Sequence, residues 1–181
     1  MKTVLKLLGV VGVLIVAALL FIFSGLYDVS ASTPDNGLIA WALQTTQSRS
    51  VHRAAESLEG KVQVPNLQDA ERIRTGLVHY HEMCATCHGA PGVKISEIGQ
   101  GLNPYPPELA THGEGDDPVE TFWVVKNGIK MTGMPSFGVT HTDDEIWAIV
   151  AFLQRMPKLS PREYEAMARQ AGVERPGLAP P

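Results

Sequence analysis

The 181-residue sequence is short of cysteine: it has two, Cys84 and Cys87, side by side in CATCH. No second pair is left for a four-ligand structural zinc site, and His112 and His141 lie too far apart to act as a zinc-finger pair. A basic tract is missing as well. Fifteen Lys and Arg against nineteen Asp and Glu give a formal charge of −4, so the chain lacks the electrostatic footprint of a nucleic-acid binder. Convincing strand alternation, a βαβ pattern and internal repeats are also absent. A thioredoxin-like dithiol therefore has no suitable context.

What the chain has is a long apolar run, VLKLLGVVGVLIVAALLFIFSGL, from Val4 to Leu26, broken only by Lys6 and Ser24. At about 1.5 Å per residue, some 22 residues cross a hydrocarbon core about 30 Å thick. A secretory signal has an apolar stretch of only about 7–15 residues, so a retained anchor is expected. The VSA at Val29 to Ala31 keeps a cleaved signal as the alternative. Lys2 precedes the run, Lys6 lies at its start, and no basic residue follows until Arg49, so the positive-inside rule exports residues 30–181. In a bacterium this means an inner-membrane protein facing the periplasm.

The remainder reads as a small all-α domain. Residues 1–29 form the anchor and 30–65 a linker with a helix over 38–59, either a stalk or a packed element. Residues 66–158 form the main domain, and 159–181 a last helix and a disordered RPGLAPP tail. Four helices are well marked. The first runs from Leu67 to Met83 with Asn66 as N-cap, and Ala70, Ile73, Leu77, Tyr80 and Cys84 share one face. The second starts at Asp117-Pro118 and stops at Asn127-Gly128. Thr142 to Glu145 and Ser160 to Glu163 open two more with capping boxes. The Gly/Pro-rich loop from Gly89 to Asp116 is long enough to be functional or disordered. Its length leaves a thin core that needs a filler.

Cys84-Ala85-Thr86-Cys87-His88 is the attachment signature of a covalent haem c. Two thiols add to the vinyl groups, and the adjacent imidazole ligates iron. This reading also gives exported cysteines a role other than a disulfide. The porphyrin would complete the thin core. The sixth iron ligand separates an electron carrier from a gas- or peroxide-binding protein. KNGIKMTGMPSFG, Lys126 to Gly138, offers Met131 and Met134 in a loop with no helix face to serve. Trp123 either donates its indole N–H to a haem propionate or packs in the core. Trp147 is expected to pack, and His79 and His81 to lie on the surface. His112, Glu114, Asp116 and Asp117 read as a solvated acidic loop, because their spacing fits no EF-hand.

Over about residues 66–158 the chain resembles the class I c-type cytochromes, and within them the membrane-anchored mono-haem proteins of bacterial respiratory chains. The resemblance rests on Cys84, Cys87 and His88, on Gly133-Met134-Pro135, and on Gly76 and Tyr80, eight and four positions before the first cysteine. It implies the class I cytochrome c fold, with Gly76 and Tyr80 crossing the C-terminal helix at Ile149 and Phe152. It makes Met134 the sixth ligand, with Met131 as the alternative, and gives Pro107 of Pro107-Glu108-Leu109 a carbonyl that accepts from His88. By the same analogy the protein carries single electrons and is not an enzyme. Its partners would be a quinol-oxidising complex, a periplasmic dehydrogenase or a terminal oxidase. The rivals are a fixed subunit of a larger redox complex and a five-coordinate peroxidase-like or gas-binding protein. The docking patch is expected to be apolar, from Ala90, Pro91, Val93, Pro135, Ser136 and Phe137, with Lys94, Lys126 and Lys130 at its rim.

Overall fold

The structure is a computed structural model that describes residues 1–112 and 116–173. Glu114 and the RPGLAPP tail fall outside that range. Two units are distinguished, Met1–Pro34 and Asp35–Pro181. The first contains one helix, α1 (Lys2–Ser24), whose side chains are all exposed. It ends at Gly25 in the left-handed region, φ 66°.

The second unit begins with α2 (Gly37–Glu56), capped by the Asn36 side chain, which accepts from the Leu38 N–H. Its C-terminal half is packed on the domain. Ala55 is buried, Val51 and Ala54 are half-buried, and His52 Nδ1 lies 3.6 Å from a Glu120 carboxylate oxygen. Then come α3 (Ala70–His79), a wide π-type turn (Tyr80–Cys84), α4 (Ala85–His88), α5 (Glu97–Gln100), α6 (Leu109–His112) and α7 (Pro118–Asn127). The chain continues through a 3₁₀ turn (Phe137–Val139), α8 (Asp143–Arg155), a second 3₁₀ turn (Met156–Lys158) and α9 (Pro161–Gln170). No strand occurs among the described residues; a single bridge joins Ala90 to Val93.

Cap chemistry sets most of these boundaries. Asp117 accepts from Val119 and Glu120 with Pro118 at the first helical position, and both expected capping boxes are formed, at Thr142/Glu145 and Ser160/Glu163. The start of α3 differs from expectation. Asn66 caps only a turn, accepting from the Gln68 N–H, and Asp69 caps the helix by accepting from the Arg72 N–H at 2.8 Å. A carboxylate one turn further on gives the helix a charged cap suited to its positive end.

α8 is the centre of the unit: Ile146 to Leu153 are all buried. α3 crosses it at Gly76, where an added Cβ would sit 1.9 Å from the Ala148 carbonyl oxygen and 2.9 Å from the Phe152 Cβ. The close approach is therefore to Ala148 and Phe152, where Ile149 and Phe152 were expected. One step along, the rings of Tyr80 and Phe152 are 5.3 Å apart. On the other side Phe122 of α7 stacks on Trp147 at 4.3 Å and 14°. α9 closes the cluster with Tyr164 and Ala168, so packing runs past residue 158. Two short helices, α5 and α6, lie within the long stretch after Gly89, and α9 adds Tyr164 and Ala168 to the core cluster.

Candidate functional site

The helix leading to the cysteines widens before it reaches them. The Ala85 N–H donates to the Tyr80 carbonyl, five residues back, and α4 then carries Ala85 to His88. Gly89 ends α4 at φ 65°; a Cβ there would meet the Val93 carbonyl at 2.8 Å. The buried Tyr80 hydroxyl donates to the Gly89 carbonyl at 2.6 Å, tying the start of the wide turn to the residue after His88. Underneath, the Ser96 N–H donates to the Thr86 carbonyl. Gly99 lies so close that a Cβ would stand 3.0 Å from the Cys87 Cα. The cysteine turn is clamped on two sides.

Neither cysteine is in a disulfide; Cys84 is buried and Cys87 half-buried. Burial, with the neighbouring Cys87 second, pushes the Cys84 thiol up to about 12, so it stays protonated. His88 Nδ1 stands 2.9 Å from the Pro107 carbonyl oxygen. A carbonyl only accepts, so Nδ1 carries the proton and Nε2 is left with its lone pair. Burial lowers the imidazole pKa, opposed by this hydrogen bond, and favours the neutral, ligating form.

The methionine loop lies between α7 and α8. Gly128 opens it at φ 65°, where a Cβ would be 2.5 Å from the Pro135 carbonyl carbon. The Ile129 N–H donates to the Met134 carbonyl at 3.1 Å. Thr132 Oγ1 donates to the Ile129 carbonyl at 2.8 Å and accepts from the Met134 N–H at 3.0 Å. Both backbone polar groups of Met134 are thus held. Its half-buried side chain packs against the core cluster. Met131 differs: it is left-handed at φ 61°, rare for a side chain of its size, and 86 % exposed.

Cys84, Cys87, His88 and Pro107 are therefore brought together. Met134 comes from a separate loop onto the core that includes Cys84. Trp123 is half-buried on α7, and its carbonyl accepts from the Asn127 side chain. Of the acidic-loop residues, Asp117 serves as a helix cap and the Asp116 carbonyl accepts from Gln154; no metal-binding cluster of His, Cys, Asp and Glu occurs among the described residues. At the expected docking rim, Lys126 is engaged with Asp143 at 2.6 Å.

His81 corrects the sequence reading. It is 5 % exposed, and its Nδ1 shares a 2.8 Å hydrogen bond with the Tyr164 hydroxyl. The wide turn holds more residues than an α-turn and brings His81 inward beside Tyr80. Gly99 and Thr132 were also missed. The one available signal was Thr132 two residues before Met134, a spacing suited to a side chain accepting from the backbone.

The donor set fits a haem c: two free thiols three residues apart, an imidazole with one nitrogen committed, and a thioether on a held loop. No curated protein matches the chain. A family model described as "Cytochrome C oxidase, cbb3-type, subunit III" matches residues 71–153, the stretch from α3 to α8 that holds every group just described. Over that stretch the chain is a class I c-type cytochrome domain, which implies a covalently bound haem c.

Proposed function

We propose that the chain is a single-electron carrier of a bacterial respiratory system, anchored in the inner membrane by α1 with its domain in the periplasm. One haem c would be held by thioethers to Cys84 and Cys87 and ligated by His88 and Met134. The observation that carries the reading is the His88–Pro107 hydrogen bond, which fixes one tautomer and leaves Nε2 for iron. A haem held there by Cys84, Cys87, His88 and Met134 would supply one-electron chemistry. Pro107 orients His88 and raises its basicity. Thr132 and Ile129 hold Met134 through its backbone. Trp123, half-buried on α7, would either donate its indole N–H to a haem propionate or serve as a packing aromatic.

Absorption spectroscopy of the ferric protein tests the ligand assignment. Met134→Ala should abolish the weak red charge-transfer band of methionine-ligated iron and open the iron to CO in the reduced state. Met131→Ala should leave both unchanged. A wild-type protein that lacks the band and binds CO is a five-coordinate sensor or peroxidase, and the carrier reading fails.

A second reading is favoured by the description of the matched family: a fixed haem subunit of a larger membrane oxidoreductase. Copurification from native membranes separates the two. A stoichiometric complex supports the subunit, and a monodisperse cytochrome supports the carrier.

A further inference from the structure

The first two turns of α2 present a run of large apolar side chains to solvent. Leu38, Trp41 and Leu43 are 70, 62 and 52 % exposed, and Ile39 is 37 % exposed. Gly37 to Leu43 reads Gly-Leu-Ile-Ala-Trp-Ala-Leu, and between Asp35 and Arg49 there is no charged residue. This is not a frayed end: Asn36 caps the helix, and its other half packs on the domain through Ala55 and His52. A rigid helix showing so large an uncharged apolar surface calls for something to cover it.

The place of this helix in the chain says what covers it. Residues 25–36 join α2 to the end of α1. At about 3.3 Å per residue that connection spans at most about 40 Å. A segment so leashed to a membrane span stays within about 40 Å of the membrane surface and meets it constantly. There a tryptophan ring finds apolar acyl chain for its body and headgroups for its N–H. We infer that Leu38, Ile39, Trp41 and Leu43 insert into the headgroup–acyl boundary of the same membrane, making the first half of α2 an interfacial helix. The inference rests on α1 being a retained anchor. The segment carries no Lys or Arg, and Asp28 and Asp35 precede it. Apolar burial is therefore the driving force, and zwitterionic lipid suffices.

The test uses the full-length holoprotein in phosphatidylcholine vesicles, with lipids brominated high on the acyl chain as quenchers. The difference emission between wild type and Trp41→Phe isolates Trp41. It should be blue-shifted and strongly quenched, unchanged by added salt or anionic lipid, and lost in Leu38→Glu/Leu43→Glu. Emission from Trp41 that is red, unquenched by these lipids and accessible to aqueous acrylamide overturns the inference, and leaves the surface for a protein partner. Alkaline carbonate extraction reads the anchor separately. Release of wild type by carbonate, with Trp41 still quenched before extraction, refutes the retained anchor while the interfacial helix stands.

Discussion

At the scale of single residues, the buried pair His81–Tyr164 is the contact most exposed to mutation. Burial pushes the Tyr164 phenol up to about 12, so it meets His81 as a neutral hydroxyl. Tyr164→Phe removes the hydroxyl that pairs with the buried His81 Nδ1, a loss of about 1–3 kcal/mol. Denaturant unfolding of the holoprotein should show it as a lower midpoint with an unchanged slope. Thr132→Val removes the group that accepts from the Met134 N–H, and the methionine charge-transfer band should bleach at a lower pH than in wild type. Pairing like that of His81 was not legible in the sequence. Helical periodicity assigns Tyr80 and Cys84 to one face and His81 to another, and nothing in YHEMC announces a wide turn. The grouping of Cys84, Cys87 and His88 in one turn, by contrast, was legible, because a contiguous motif needs no tertiary information. Pro107 could be named only through a family resemblance, since its partner lies nineteen residues away.

Between elements, the α3–α8 crossing depends on the missing side chain at Gly76. Gly76→Ala places a methyl 1.9 Å from a backbone oxygen, and the helices must part. Overpacking of this kind costs about 1–3 kcal/mol or more, against a gain of about 1 kcal/mol from helix propensity. The variant should unfold at lower denaturant or fail to retain haem, as read by circular dichroism and the Soret band. The two capping boxes make a pH prediction. Glu145 is held below the ordinary glutamate value of 4.5 by the Thr142 backbone N–H and then its hydroxyl; Glu163 is held below it by the Ser160 hydroxyl and then the backbone N–H. A lowered folded-state pKa contributes stability that is complete above the ordinary value and lost as pH falls through the lowered one. Thermal midpoints should therefore hold down to about pH 5 and drop beneath it, and Glu145→Gln with Glu163→Gln should flatten the drop. Helix starts marked by two agreeing signals, such as Asp117-Pro118 or a capping box, were legible. The start of α3 was not, because Asn66 and Asp69 offer equal local chemistry and only packing chooses between them.

For the whole molecule, the proposed topology rests on a few charges. Lys2 and Lys6 lie in the first two turns of α1, so in the proposed topology Lys2→Glu with Lys6→Glu should weaken the cytoplasmic hold on the N-terminus. Protease added outside spheroplasts should then digest less of the domain than in wild type. The division of α2, half docked and half exposed, was legible only as an undecided stalk, since its apolar residues carry no sign of which neighbour they meet. The closed loops around His88 and Met134 have a consequence at this scale. His88 and the backbone of Met134 are positioned by hydrogen bonds within the polypeptide, so in the proposed carrier the scaffold would keep its shape when the charge it encloses changes by one unit. A donor and an acceptor would then meet the same face, and relative potentials would decide the direction of traffic, with no conformational signal announcing which form has arrived.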